Sequence, residues 1–417
     1  MARPRYDDWN FMGESLDNTP AYGSTFRFRH LTVLFTASCL ILFVLGLVCA
    51  YSASYPVALS EGRVHYYYLT RQLMFAGIGL VTGLVAYFIP DALLRLLTPL
   101  VMFGSLGAQI VNVFLRNTYM TYESIFALMV LSIVMYLSLY FANRENHLSR
   151  LRELVFPMLF SVIFVFLIAV HQDIMYLVLF LAAVIVMFAV GGVGFWGVLL
   201  LFLYSVVPAM CWILTDRSKV SFVLNYFVPG LDSAEQAAQV LLRQQSIVGG
   251  GWFGKGLGMG VFKLQGINGI STYYILCNII EELGFAGVIA IFILFMIIAY
   301  CGYRCSYFTR NTNLHYSNLS AGLTTVLVWQ FLINTGSVLG IIPTAVISLP
   351  FFSIGSNIAV VILECALLLR CMKKGFMKET VPSSTDLVIP DSTAGRKAVE
   401  NRQETGAFTG YGEKEEN

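Results

Sequence analysis

Apolar residues in this chain come in long unbroken runs rather than in short alternating stretches. Ten runs stand out, at 31–52, 71–89, 93–113, 122–142, 154–171, 174–191, 195–214, 273–301, 318–338 and 347–370. Each is close to the length, about 20 residues, that crosses a bilayer as a helix. The pattern predicts an all-α membrane protein with ten transmembrane helices. The fifth and sixth runs meet at His171-Gln172-Asp173, which predicts a tight turn there.

Arginine and lysine set the orientation. With the N-terminus inside, the inner segments hold Arg27, Arg29, Arg95, Arg144, Arg150, Arg152, Arg304, Arg310, Arg370, Lys373 and Lys374, whereas the short outer loops hold Arg63, Arg71 and Arg116. Such a bias predicts a multi-pass protein with both termini in the cytoplasm. It also places residues 215–272, between helices 7 and 8, in one large extracytoplasmic loop. Residues 1–30 and 376–417 are polar, lack an apolar period and are expected to be disordered cytoplasmic tails flanking a membrane domain at 31–375. No cleavable signal peptide is expected, since the first apolar run is long enough to span and reads as a signal anchor.

Composition agrees. Only 12% of the 417 residues are charged and 57% are hydrophobic, against about 25% charged in soluble domains. Mean hydropathy is +0.73. A net charge of +2 lacks the basic surface that a nucleic-acid partner requires. The eight cysteines form no CxxC pair and no His–Cys metal spacing.

The candidate chemistry lies where polar residues interrupt the runs. Gly249-Gly250-Gly251 and Gly254-Lys255-Gly256-Leu257-Gly258-Met259-Gly260 permit positive φ and close backbone approach. Successive N–H groups there, with Lys255 and Lys263, either form an anion nest for a phosphate or a re-entrant turn. Tyr274, Asn278 and Glu281 or Glu282 fall on one face of the following helix. Such a stripe either lines a polar cavity or packs as an interhelical network. Glu123 starts its span, Asp173 sits at a helix break, and Glu364 is alone in the last span. Tyr51-Ser52-Ala53-Ser54 and Tyr66-Tyr67-Tyr68-Leu69-Thr70-Arg71-Gln72 read as an interfacial belt when taken alone. Pro343-Thr344 and Leu349-Pro350, up to Ser353, Gly355 and Ser356, predict irregular backbone at membrane depth, which is tolerated where it lines a cavity.

In this order these motifs resemble the SEDS family of cell-wall membrane proteins over roughly residues 31–375. The Tyr51–Ser54 turn, Arg71-Gln72, Asp173, the Gly-rich run, Glu281-Glu282-Leu283-Gly284 and the Leu349–Gly355 segment carry the likeness. The resemblance implies a protein of the bacterial cytoplasmic (inner) membrane that polymerises the lipid-linked disaccharide lipid II in division or elongation. It implies a class B penicillin-binding protein as partner, other divisome or elongasome proteins around it, and a divalent cation as the one cofactor associated with the activity. Glu123, Asp173 and Glu281 are the catalytic candidates. Gly250, Gly254, Lys255, Gly256, Gly258, Lys263 and Ser353 are the substrate-binding candidates, the lysines and glycines for the pyrophosphate. The position of the family's essential acid is occupied by Tyr273, a poor base, and a lysine of its fourth span falls on Phe126. A catalytically degenerate scaffold is therefore the alternative, with a lipid II translocase behind it.

Overall fold

The computed structural model describes residues 21–115, 122–144, 151–170, 174–194, 197, 199, 203, 234–265, 267, 269–342 and 346–379. Their secondary structure is helical, without strands. In chain order the helices are α1 (Ala21–Ser60), α2 (Tyr67–Phe88), α3 (Asp91–Leu115), α4 (Tyr122–Asn143), α5 (Leu151–Val170), α6 (Ile174–Val190), α7 (Ala234–Gly250), α8 (Ile275–Thr309), α9 (Leu314–Val338) and α10 (Asn357–Glu379).

The solvent preference is inverted relative to a water-soluble bundle. Val81, Phe88, Leu96 and Leu100 point outward. Ser317, Asn318, Ser320, Thr324 and Thr325 of α9 are buried. Among the described residues five helices are long and apolar enough to cross a membrane, at Arg29–Ser60, Tyr67–Phe88, Asp91–Asn112, Glu123–Asn143 and Ile275–Thr309. The chain is an integral membrane protein.

Apolar burial gains little against lipid, so small residues and interhelical hydrogen bonds hold such bundles together. Helix α9 packs on α4, α6, α8 and α10. Ser320 donates to the Gly302 carbonyl of α8 at 2.9 Å, and Ser317 donates to the Ser306 carbonyl at 2.7 Å. Gly79 of α2 rides directly on the Ala359 backbone of α10, where a Cβ would collide. At one end of the bundle the fully buried Arg370 donates to the Ala86 carbonyl at 2.6 Å and to the Tyr316 hydroxyl at 3.2 Å. It also pairs with Asp91, which Lys374 reaches at 3.1 Å. That cluster fastens α2, α3 and α9 to α10.

Several boundaries differ from the sequence expectation. Helix α1 begins at Ala21, inside the stretch read as a tail, and α8 runs on to Thr309. The last helix begins at Asn357, not 347; residues 347–356 are irregular because Pro350 cannot donate within a helix and Phe351 takes φ 70°. Helix α7 occupies part of the stretch read as loop. Of the run 195–214 only residues 197, 199 and 203 are described, and the tails at 1–20 and 380–417 lie outside the described residues.

Candidate functional site

Helix α8 is broken at Gly284, which takes φ 70° and ψ −175°. The break frees the carbonyls of Glu281 and Glu282 and the N–H groups of Phe285 and Ala286 at a depth where water is scarce. The Gly-rich strap that follows α7 satisfies them. Lys255 N–H donates to the Glu281 carbonyl and Gly256 N–H to the Glu282 carbonyl, both at 2.9 Å. In return Phe285 and Ala286 N–H donate to the carbonyls of Gly251 and Trp252, both at 3.0 Å. Gly254, at φ 73°, lies so close to the Glu282 carbonyl that no Cβ fits, and Gly250 is equally crowded by Ile280. The glycines allow backbone to meet backbone.

The side chains of the strap complete the junction. Glu281 and Glu282 are buried. Lys255 Nζ lies 2.8 Å from Glu281 Oε1, which also accepts from Val261 N–H at 2.7 Å, while Oε2 accepts from Phe262 N–H at 3.1 Å. Lys263 Nζ lies 2.7 Å from Glu282 Oε1 and donates to Ser52 Oγ at 2.9 Å and to the Gly258 carbonyl at 3.1 Å. Ser52 Oγ in turn donates to the Glu282 carboxylate at 2.6 Å. All three ammonium protons of Lys263 are thereby used. The stripe of Asn278 and Glu281 is packed inside the protein rather than along a cavity wall. In this structure Lys255 and Lys263 spend their charge on Glu281 and Glu282. The expectation that Lys255, Lys263 and the glycine backbone meet a pyrophosphate stays a proposal, now with both ammonium groups already paired to carboxylates.

A cavity of about 180 Å³ opens at the same end of the bundle. Tyr68, Arg71, Glu123, Ser271, Thr272, Tyr273, Ile354, Gly355 and Ser356 line it. Two irregular segments, 271–274 and 346–356, form one wall and are laced together. Ile354 N–H donates to the Ser271 carbonyl at 3.0 Å, and Ser353 Oγ donates to the Thr272 carbonyl at 2.5 Å while accepting from Leu349 N–H at 2.6 Å. Asn334 Nδ2 of α9 reaches the Tyr273 carbonyl at 2.8 Å and the Ile347 carbonyl at 2.7 Å. From α2, the buried Gln72 donates to the Ser353 carbonyl and accepts from Gly355 N–H, each at 3.1 Å. Ser124 of α4 hydrogen-bonds Ser356, which holds Glu123 beside the segment. The Glu123 carboxylate lies within van der Waals reach of any Cβ added at Gly355. The buried left-handed Phe351 behind this wall is the kind of backbone strain that persists only where surroundings over-determine it.

Among the described residues the cavity therefore carries one cation, Arg71, and one carboxylate, Glu123, among hydroxyls. Arg71 lies over the Phe75 ring at 5.6 Å, and Tyr68 donates to Glu61 at 2.8 Å. Tyr68 and Arg71, which in sequence resemble a membrane-interface belt, stand on the cavity wall. The available signal was an arginine at a span start on the side poor in Lys and Arg. Ser353 is a buried tie between segments, not a lining residue. Asp173, Pro343 and Thr344 lie outside the described residues. Among the described residues no three His, Cys, Asp or Glu side chains cluster as a metal site. A hard cation takes several oxygen donors, of which Glu123 is the carboxylate that the described lining offers.

Comparison with known proteins decides the family. The profile of the FtsW/RodA/SpoVE family, described as cell cycle protein, matches residues 126–375. The chain belongs to this family. Its relatives include the "Probable peptidoglycan glycosyltransferase FtsW" of Taylorella equigenitalis (strain MCE9), 28% identical over 79% of this chain and 97% of the relative. Stage V sporulation protein E of Bacillus subtilis (strain 168) is 27% identical over 79% of this chain and 94% of that protein. Two solved folds agree. One is a chain of a peptidoglycan synthase complex, with TM-score 0.64 and 19% identity over 83% of this chain and 97% of that one. The other is the rod shape determining protein RodA of Thermus thermophilus, with TM-score 0.56 and 19% identity over 83% and 96%.

Proposed function

We propose that this SEDS chain joins lipid II disaccharides into glycan strands on the outer side of the bacterial cytoplasmic membrane, beside a class B penicillin-binding protein. In this reading ten helices span the membrane, both termini are cytoplasmic, and residues 215–272 and the cavity face outward. One observation carries the proposal: Arg71 and Glu123 share a cavity walled by the segments that distinguish this family. Glu123 accepts the proton of the acceptor sugar hydroxyl as its oxygen bonds to the anomeric carbon of the donor. The bond from that carbon to the lipid pyrophosphate breaks, and the guanidinium of Arg71 holds the departing negative charge. Asp173 is assigned to the same outward face. Glu281 is assigned to the strap junction rather than to proton transfer.

A second reading rests on Tyr273, the phenol at the family's acid position. It makes the chain a scaffold that holds the penicillin-binding protein while another protein polymerises. The test is purification of the full chain with its penicillin-binding partner and incubation with fluorescent lipid II. Glycan ladders from the native pair, lost in Glu123→Gln, support polymerisation. No ladder from the native pair together with ladders from Tyr273→Asp would establish the scaffold.

A further inference from the structure

The strap that closes the α8 break has an inverted surface. Its charged ends turn inward, Lys255 to Glu281 and Lys263 to Glu282. Its apolar side chains turn outward: Phe253 is 87% exposed, Trp252, Leu257, Met259, Val261 and Leu264 are exposed as well, and so is Val248 at the end of α7. A water-exposed loop would show the reverse. Seven large apolar side chains within residues 248–264 are exposed, a concentration of the kind that marks an interaction site.

We propose that this patch is a membrane foot, seated in the lipid at the membrane–water interface. Three observations favour lipid over water or a protein. First, the strap meets α8 at Glu281–Ala286, about 9–16 Å along the helix axis from Ile275 at 1.5 Å per residue. It therefore runs beside the spanning helix, not above it. Second, backbone in that layer must be satisfied within the protein. The paired N–H and carbonyl groups of 251, 252, 255 and 256 with α8 meet that demand, as do the bond from Gly254 N–H to the Gly250 carbonyl at 2.9 Å and the buried ion pairs. Third, the patch is continuous with the lipid-facing side of α8. The Trp252 ring lies 6.4 Å from Phe285, and Ile289, Ile293 and Met296 carry the exposed apolar stripe onward. Tryptophan concentrates at this level because its ring is apolar and its N–H is polar.

The consequence is mechanical. Ser52 of α1, Lys263 of the strap and Glu282 of α8 are one hydrogen-bonded unit. A lipid-seated strap fixes that unit at constant depth and with it the start of α8, beside which Ser271, Thr272 and Tyr273 line the cavity.

The test uses the full chain in nanodiscs of phosphatidylethanolamine and phosphatidylglycerol. The fluorescence lost in Trp252→Phe isolates the signal of that ring from the other four tryptophans. Lipids brominated near the headgroup are expected to quench this signal more than aqueous iodide does, as an interfacial ring requires. Equal or stronger quenching by iodide overturns the proposal. Independently, p-benzoylphenylalanine replacing Phe253 is irradiated in the same discs with the penicillin-binding partner present. A lipid adduct supports the foot; a partner adduct, or no adduct, overturns it.

Discussion

Lys263 and Glu282 form a buried ion pair, 2.7 Å from Nζ to Oε1, that joins the Gly-rich strap to the broken helix α8. Desolvating two charges is costly, and removing one partner leaves the other uncompensated. Lys263→Met is therefore expected to cost about 3–5 kcal/mol of stability, read as a lowered thermal inactivation midpoint in detergent. Adding Glu282→Gln should recover much of that loss, because no lone charge is then buried. If the single substitution leaves the midpoint unchanged, the pair does not hold the strap.

Glu123 is the only carboxylate lining the cavity among the described residues. Glu123→Gln keeps the shape and removes the proton acceptor. Positioned general bases contribute about 10²–10⁴-fold, so lipid II polymerisation is expected to fall by that order while lipid II binding persists. Single-turnover measurements with fluorescent lipid II separate the two. A rate that survives the change would move the base elsewhere, with Asp173 next in line.

Arg71 presents a planar fork suited to phosphate oxygens. Hydrogen bonds to charged groups are worth about 1.5–3 kcal/mol, so Arg71→Ala is expected to lower kcat/KM by roughly 10–150-fold. Arg71→Lys keeps the charge but loses the bidentate geometry and should recover only part of the loss. Full recovery by lysine would mean that the residue acts only as a point charge.

The long apolar runs made most of the helical architecture legible. Period and length locate α2, α3 and α4 to within a few residues because lipid demands continuous apolar helix. Helix α7 was not legible: Gln236, Gln239, Arg243 and Gln245 give it no spanning signature, and its helicity rests on packing, such as Ser246 Oγ donating to the Cys277 carbonyl of α8 at 3.1 Å. The candidate site was legible as a set of motifs but not as pairings. Sequence offered Lys255 and Lys263 for a pyrophosphate, and Glu281 and Glu282 for either a polar cavity or a packed network, with nothing to pair the four. Only the fold shows that Ser52, 211 residues from Lys263 and 230 from Glu282, completes their network. Arg71 and Tyr68 were hidden for the opposite reason, since an interfacial belt and a cavity rim use the same residue types.

Gly254 tests whether the strap must touch the α8 backbone at all. Its φ of 73° is disfavoured for any residue with a Cβ, and a Cβ there meets the Glu282 carbonyl and the Gly284 nitrogen. Left-handed strain costs about 1–3 kcal/mol, and the collision adds to it. Gly254→Ala should therefore lift the strap and strand the carbonyls of Glu281 and Glu282. Lys255 and Lys263 lie within the strap, so brief trypsin treatment reads the outcome. The native protein should resist cleavage at both lysines, while Gly254→Ala should gain cuts at Lys255 and Lys263 with cleavage elsewhere unchanged. Equal resistance in both would show that the ion pairs alone hold the strap and that the backbone junction at Gly284 is dispensable.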